Sequence, residues 1–503
     1  MRETGVGPPQ TGPADELIEA GFALEVGDAP YLHRGLNVAD MAHVLVLREA
    51  GIVPPDPAAR LLRLLLEVHR DIPADRFPYD PRFGDAYNSR ERFFIDRLGT
   101  DAGWLHAGRP RREAGRVALR VCLRDMTTAL TADAAGFAET VAEQSERHAE
   151  VVMPDQTYLQ QAQPSTFGHY LLTFAYPALR DAERLLQEDD WVNRSPGGAG
   201  CVNGSRLKLD RQRTAELLGF GAVIEHTRDA MWQTDGLVAL LADAAGLVSN
   251  LSKLAEDLEI WDSQEFDFVQ LSGPYTRSSI LMPQKKNPYA LAIVRGAGGV
   301  LIGRLSGFLA VVKTPSARSD NLIFAYGEVP RALELAGRVT RLLRGVVDSL
   351  EVHPSKMWAS LEAGFSQATD LAEYVMETGG VDYRTAYLVV GDAVQRAAAE
   401  GLRGIDLTGA MLDRAAEERI GRPLGLPDGD LSEILDPRAI VMTRTSPGGA
   451  APSVIRDMAA SVRGRSKELA AEADRRQAAY RDAEEALLRK AEEVAGGSPG
   501  PRP

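Results

Sequence analysis

Cysteine is almost absent: Cys122 and Cys201 are the two in 503 residues, which excludes a disulfide framework and points to a reducing compartment. Both lie in apolar or Gly-rich stretches and are expected to be buried bystander thiols. Positive charge is outnumbered, 57 Lys and Arg against 71 Asp and Glu, for a net charge of -14. A general nucleic-acid binder needs clustered cations to neutralise phosphates, so no nucleic-acid partner is expected. A small cationic patch inside a site for anions remains compatible with that balance. Long unbroken apolar runs are also missing. The longest, Ala290 to Val312, is interrupted by Arg295 and Arg304, which speaks against a membrane span. The polar, Gly- and Pro-rich stretch from Met1 to Asp15 has no apolar core of a secretory signal, so a cytoplasmic location is expected. There is no His-x-x-x-His, Cys-x-x-Cys or carboxylate cluster with ligand spacing, no phosphate loop and no dinucleotide fingerprint. No metal and no cofactor are therefore expected.

What is present is ordinary globular composition, 44% apolar and 25% charged, on a chain long enough for two to four domains. Helical periodicity dominates from Ala114 onward: Leu335, Val339, Leu342, Leu343, Val346 and Leu350 form one apolar stripe. Helices are predicted over Arg116 to His148, Thr166 to Glu188, Thr234 to Trp261, Tyr289 to Val312 and Val329 to Leu350, long enough to pack as a bundle. Strand alternation is nearly absent. Two shorter helices, Asn37 to Ala50 and Asp56 to His69, belong to an N-terminal region, with Asp56 and Pro57 as cap and first turn. A third region begins near Glu362, and the ends, about 1–20 and 494–503, are expected to be disordered. The Gly-rich run Ser195 to Gly200 reads as a turn between helices near the site.

Chemistry concentrates in Thr276 to Pro288, which packs three hydroxyls, three cations, two amides and two prolines between helices. Lys285, Lys286 and Asn287 fall where the next helix should start, so side-chain donors, backbone N–H groups and the helix dipole favour an anion there. Taken alone, Lys-Lys-Asn-Pro would be a solvated helix start, and Ser279 a loop hydroxyl capping a turn.

The segment resembles the Gly-Ser-Ser-x-Met-Pro-x-Lys-x-Asn signature of the fumarase, aspartase and argininosuccinate lyase superfamily, and its Gln-Lys-Lys-Asn-Pro ending is that of argininosuccinate lyases. The stretches Leu254 to Leu258, Ser263 to Phe266, Gln163 to His169, Asn193 to Pro196, Ala368 to Ala372 and Ser446 to Pro452 carry the same likeness, which runs from about Tyr31 to about Ala460. The resemblance implies an all-α fold of three mostly helical domains: 1–112, a central long-helix bundle over 113–361, and 362–503. It also implies a homotetramer whose bundles merge into a superhelical core, with active sites shared between subunits. By the same likeness Ser279, six residues before Lys285, takes a proton from the carbon beside a carboxylate. Nearby positive charge and amide donors must then hold the alkoxide. Lys285 and Asn287 receive the resulting aci-carboxylate, and Arg111, Thr157, Gln163 and Asn287 contact substrate.

Several positions depart from the family pattern. Ser278 stands at its glycine and Ile280 at its second serine, changes that stiffen the loop and leave the base in place. Arg112 replaces a substrate-binding asparagine; a fork matched to carboxylate would suit a more anionic ligand, and a salt bridge to Glu113 or another neighbour is the alternative. Tyr158 replaces a histidine held at the substrate. Tyrosine can donate a proton or orient a ligand but does not switch charge near pH 7, and it can also simply fill the histidine's space. His106 and His169 read as structural. The Tyr, Gln and Lys set that grips argininosuccinate in the family has no placeable counterpart in Ser319 to Pro330.

The expected function is a cofactor-independent carbon-nitrogen lyase acting on a small anionic substrate. It cleaves, or in reverse forms, a C–N bond of an N-substituted aspartate, with fumarate as product and argininosuccinate not the substrate. The alternatives are a lyase or cyclising enzyme of a specialised pathway acting on another anion, and a crystallin-like protein without activity.

Overall fold

The structure is a computed structural model, described here over residues 12–316 and 323–496. The expected all-α class holds. Long helices build the molecule, and the strands among the described residues are short. The N-terminal region contains α1 (Ala29–Glu49), α2 (Pro55–Asp71) and α3 (Ala86–Leu98). The bundle is α4 (Arg111–Arg147), α5 (Phe167–Val192), α6 (Asp235–Trp261), α7 (Tyr289–Val312) and α8 (Ala325–Asp348). A smaller C-terminal group holds α9 (Ala368–Gly379), α10 (Tyr383–Ala399) and α11 (Gly409–Ile420), and the last helix is α12 (Pro452–Gly496).

Three differences from the sequence expectations have physical causes. The helix expected from Asn37 starts at Ala29, because Pro30 suits a first turn and Leu32 and Leu36 reach the bundle core. The helix expected to be capped by Asp56 starts at Pro55 with Pro54 as its N-cap and no side-chain cap. Of the N-terminal end expected to be disordered, Asp15–Leu17 is helical and leads through a π turn at Ile18–Phe22 into the helix Ala23–Gly27. Residues 494–496 continue α12, whose Ala495 packs into the N-terminal core. Residues 1–11 and 497–503 lie outside the described residues.

The helix α12 does not share the C-terminal core of Leu371, Val375, Val389 and Leu412. Its Ile455, Ala459 and Val462 belong to the bundle core, and its Leu487 and Ala491 to the N-terminal one. The chain end thus ties two cores together.

The start of α4 carries candidate site residues, and two devices fix it. Arg116, Arg120 and Arg124 repeat every four residues on one face, all buried, and none forms an ion pair with a carboxylate among the described residues. Each donates instead to carbonyls at a helix C-terminus. Arg116 reaches Met231 O and Gln233 O, Arg120 reaches Trp191 O at 2.6 Å and Val192 O at 3.1 Å, and Arg124 reaches Leu218 O and Gly219 O. The negative ends of three helix dipoles replace counter-ions. Burial still pushes the Arg120 guanidinium down to about 9.

The second device is close backbone packing. A Cβ on Gly35 of α1 would lie 2.5 Å from the Ala118 Cα and 2.6 Å from its carbonyl oxygen, atoms that cannot move aside. Gly35→Ala is expected to cost about 3 kcal/mol of stability in urea denaturation; an unchanged midpoint would mean that α1 and α4 are not in contact.

Candidate active site

Local sequence sets the shape of the signature loop. Arg277–Ser278 (β3) pairs antiparallel with Lys286–Asn287 (β4), Arg277 opposite Asn287 and Ser278 opposite Lys286. The seven residues between are closed by Ser279 N donating to Lys285 O at 3.3 Å and Lys285 N to Met282 O at 3.1 Å. The Ser279 hydroxyl oxygen accepts from Leu281 N at 3.3 Å and Met282 N at 3.0 Å. It caps the turn and sits under two converging N–H dipoles at once. Asn287 Nδ2 donates to Arg277 O at 2.8 Å. Because α7 begins only at Tyr289, with Pro288 as its N-cap, Lys285 at the end of the turn and Lys286 and Asn287 in the ladder lie ahead of the helix and not in its first turn.

Lys285 and Lys286 line a cleft of about 760 Å³ whose other wall carries Glu259, Asp262, Ser263, Gln264 and Asp267. Burial raises the Asp262 carboxyl, against the N–H of Leu271 bonded to it at 2.9 Å. The loop tip is apolar and wholly exposed at Ile280 and Leu281.

Arg111 and Arg112 open α4. Arg111 is engaged, donating to Asn88 Oδ1 at 3.0 Å and lying 3.4 Å from Asp85. Arg112 makes no hydrogen bond or ion pair with any described residue, and the salt bridge to Glu113 that the sequence allowed does not form. Glu113, 1% exposed, faces the other way: Oε1 accepts from Gly198 N and Oε2 from Gly200 N, both at 2.7 Å. Both glycines have positive φ, +73° and +65°, which only glycine adopts without strain. Burial pushes the Glu113 carboxyl up to about 7, against Arg109 and the two N–H groups. The Gly-rich run follows the two-residue strand Arg194–Ser195, parallel to Ala222–Val223, and is clamped directly to the turn carrying Arg111 and Arg112.

Thr157, Tyr158 and Gln163 sit on a hairpin, β1 (Val152–Thr157) with β2 (Gln160–Thr166), which the sequence did not disclose. Thr157 pairs with Gln160, so Tyr158 and Leu159 form a two-residue turn with φ of +56° and +58°. That is the hairpin type that normally uses Asn-Gly, and two side-chained residues there cost about 1–2 kcal/mol each. The turn drives Tyr158 into solvent, 98% exposed. It does not fill a buried histidine's space within its own chain. The hairpin is tied down by Gln161, whose amide donates to Ser360, and Thr166 caps α5.

Other quoted segments also meet. His169 Nε2 lies 2.9 Å from Gly448 O, and Arg444 pairs with Asp370. His106 pairs with Glu91 at 2.9 Å. Cys201 is exposed and Cys122 half-buried, so the expectation of two buried thiols is corrected: the turn after Gly200 leaves Cys201 at the surface. No hydrogen bond or ion pair among the described residues joins the three groups, Arg111 with Arg112, the hairpin tip, and the signature loop.

Sequence reasoning missed Tyr326, Glu25 and Asp85, which line a small cavity with Arg111 and Arg112. Tyr326 stood within the stretch from Ser319 that resisted assignment; residues 319–322 lie outside the described residues.

An all-helical bundle carrying this loop defines a lyase of the fumarase and aspartase superfamily, and the comparisons agree. The lyase family model matches residues 39–303, and the chain belongs to that family. Within it the chain is an argininosuccinate lyase-like carbon-nitrogen lyase: the argininosuccinate lyase C-terminal model matches 365–442. It is 32% identical to argininosuccinate lyase of Methanosarcina mazei over 425 residues, 84% of each chain. It is 34% identical to that of Methanoculleus marisnigri over 431 residues, 84% of this chain and 86% of the other. Among solved structures, a variant of EDDS lyase with bound fumarate superposes with a TM-score of 0.86 at 24% identity, covering 97% of both chains. The 3-carboxy-cis,cis-muconate lactonizing enzyme from Pseudomonas putida superposes with a TM-score of 0.69 at 20% identity, covering 90% of this chain and all of the other.

Proposed function

We propose that this lyase eliminates an amine from an N-substituted aspartate to release fumarate, or adds the amine in reverse, and that argininosuccinate is not its substrate. The observation that carries the reading is the Ser279 hydroxyl under the N–H groups of Leu281 and Met282. These are donors already aimed at an oxygen that must become an alkoxide. Ser279 first releases its hydroxyl proton to solvent, and the alkoxide Oγ then takes the proton from the carbon beside the distal carboxylate and returns to a neutral hydroxyl. The electron pair moves into that carboxylate as an aci-carboxylate facing Lys285 and Asn287, and its return breaks the C–N bond. The nitrogen leaves with the bond's electrons and gains a proton, Tyr158 being the candidate donor from a neighbouring subunit. Arg111, Thr157 and Gln163 hold the carboxylates, and the unpaired Arg112 selects the amine side.

In this reading the active unit is a homotetramer. Tyr158, Ile280 and Leu281 are exposed in one chain, as are Ile293, Val300, Ile302 and Leu309 of α7, and copies of the chain would cover them and join the three groups. The apolar helix α7 is not a membrane span on this account, since its Arg295 pairs with Glu259 and its Arg304 with Glu328.

Fumarate release from a panel of N-succinyl amines and amino acids, argininosuccinate included, tests the proposal, with amine addition to fumarate as the reverse assay. Turnover of a compound other than argininosuccinate is expected. Preferential cleavage of argininosuccinate would overturn the substrate reading, and no fumarate from any compound with a folded protein would overturn the reaction.

A further inference from the structure

The hairpin that carries Thr157, Tyr158 and Gln163 is weakest just below its tip. Pro154 pairs with Pro164, so neither strand offers an N–H to the ladder at that step. The next pair up is Gln156 with Gln161, which leaves Asp155 alone opposite Ala162 and Gln163. That extra residue makes β2 bulge and bend. Above the bulge two pairs remain, Gln156 with Gln161 and Thr157 with Gln160, and they must hold a Tyr158–Leu159 turn whose positive φ angles are themselves strained. A ladder this short is marginal in water, so the tip needs a hold from outside.

Gln161 supplies it. Its Nε2 donates to Ser360 O at 2.8 Å and to Ser360 Oγ at 3.0 Å, and among the described residues these are the sole hydrogen bonds from 155–161 to any part of the chain outside the hairpin. Ser360 lies in the last turn of the helix Pro354–Ala363, where carbonyls run out of intrahelical donors, and the capping N–H of Gly364 goes to Leu361 O. The Gln161 amide therefore caps the negative end of that helix. The helix is itself fixed, with Met357 buried in the bundle core. Gly364 leaves the room: a Cβ there would lie 2.4 Å from Gln161 Oε1. That oxygen is buried with no partner, so the position uses the donor of the amide and not its acceptor.

We infer that Gln161 is a positioning residue, which fixes the hairpin tip to the bundle core and so sets where Thr157 and Tyr158 stand when a neighbouring copy brings its site against them. The inference rests on the proposed reaction, in which Thr157 holds a carboxylate and Tyr158 protonates the leaving nitrogen. Gln161 acts through those two residues, since its own amide is spent on Ser360.

Two variants of the full-length protein remove the hold in different ways. Gln161→Met keeps the length of the side chain and loses its donor. Gly364→Ala leaves Gln161 in place and puts a methyl group where its amide now sits. In each, hydrogen exchange at the Gln156 to Gln161 amides is expected to run about tenfold faster, the worth of one hydrogen bond, while exchange across α5 stays unchanged. In fumarate release each variant is expected to lose about tenfold in kcat in the parent background and less than about twofold beside Tyr158→Phe, where the group being misplaced has already gone. A residue that merely stabilised the fold would cost the same in both backgrounds. That equal cost, parent kcat in both variants, or unchanged exchange in both would overturn the inference. Because exchange needs no turnover, the two readings fail separately. Faster exchange at the tip of a protein that releases no fumarate sinks the reaction and keeps the anchor, whereas fumarate release at the parent rate in both variants sinks the positioning role alone.

Discussion

Ser279→Ala is expected to lower fumarate release by roughly a thousandfold, within the range that loss of a positioned base produces, while substrate affinity changes less than about threefold. A serine hydroxyl is a poor base in water. What makes it serviceable here is the pair of N–H groups from Leu281 and Met282 on its oxygen, with Lys285 in the same closed turn. These interactions are stronger to the alkoxide, and to a transition state that keeps part of its charge, than to the resting hydroxyl, so their loss falls on the barrier, where a thousandfold is about 4 kcal/mol. The ground state loses one weak turn cap on an exposed loop, held independently by the β3–β4 ladder and the Ser279 N to Lys285 O bond. The measurement is kcat and KM for fumarate release, with binding of a slow substrate to the alanine variant. Retention of more than about a tenth of the activity would place the base elsewhere; a parallel rise in KM would make Ser279 a binding residue.

The pH dependence of stability should change when Glu113 becomes glutamine. The Glu113 carboxyl moves from the usual 4.5 to about 7 on folding, chiefly through burial. Between those values the folded protein holds a proton that the unfolded chain has released, so stability falls as pH rises from 4.5 to about 7 and levels off above it. At 1.36 kcal/mol per pH unit the change is roughly 3 kcal/mol. Glu113→Gln cannot titrate, and it trades one acceptor oxygen for an NH₂, leaving Gly198 N or Gly200 N unpaired at every pH at a cost of about 1–3 kcal/mol. The variant should therefore be clearly less stable than the parent at pH 5, with the gap closing toward pH 8. Urea denaturation at fixed protein concentration across that range is the test. A gap that widens with pH would mean that the two N–H groups and Arg109 win over burial and that the carboxyl is an anion throughout. Since Glu113 follows Arg112 in the first turn of α4, the same substitution should raise KM at all pH values if the clamp positions that turn.

The signature loop was legible because its chemistry is contiguous: Ser279, Lys285 and Asn287 lie within nine residues, and a two-residue ladder suffices to close the turn. The bundle was legible because apolar residues at three- and four-residue steps leave a helix one way to bury them. The hairpin was not, since Tyr158 and Leu159 are poor turn formers and their left-handed backbone is imposed by the pairing of Thr157 with Gln160. Nor could adjacency reveal that Glu113 would turn from Arg112 to the amides of Gly198 and Gly200, 85 and 87 residues away.

By itself the sequence determined the helical class, the long-helix bundle and the concentration of hydroxyls, cations and amides in the signature loop, all set by local periodicity or by residues close in the chain. Tertiary structure alone decided that α12 returns to join two cores and that the buried Arg116, Arg120 and Arg124 cap helix ends in place of meeting carboxylates. It also decided that Glu25, Arg112 and Tyr326, spread over 301 residues of chain, face one cavity. Burial and unpaired charge are properties of neighbours in space, and folding chooses those neighbours.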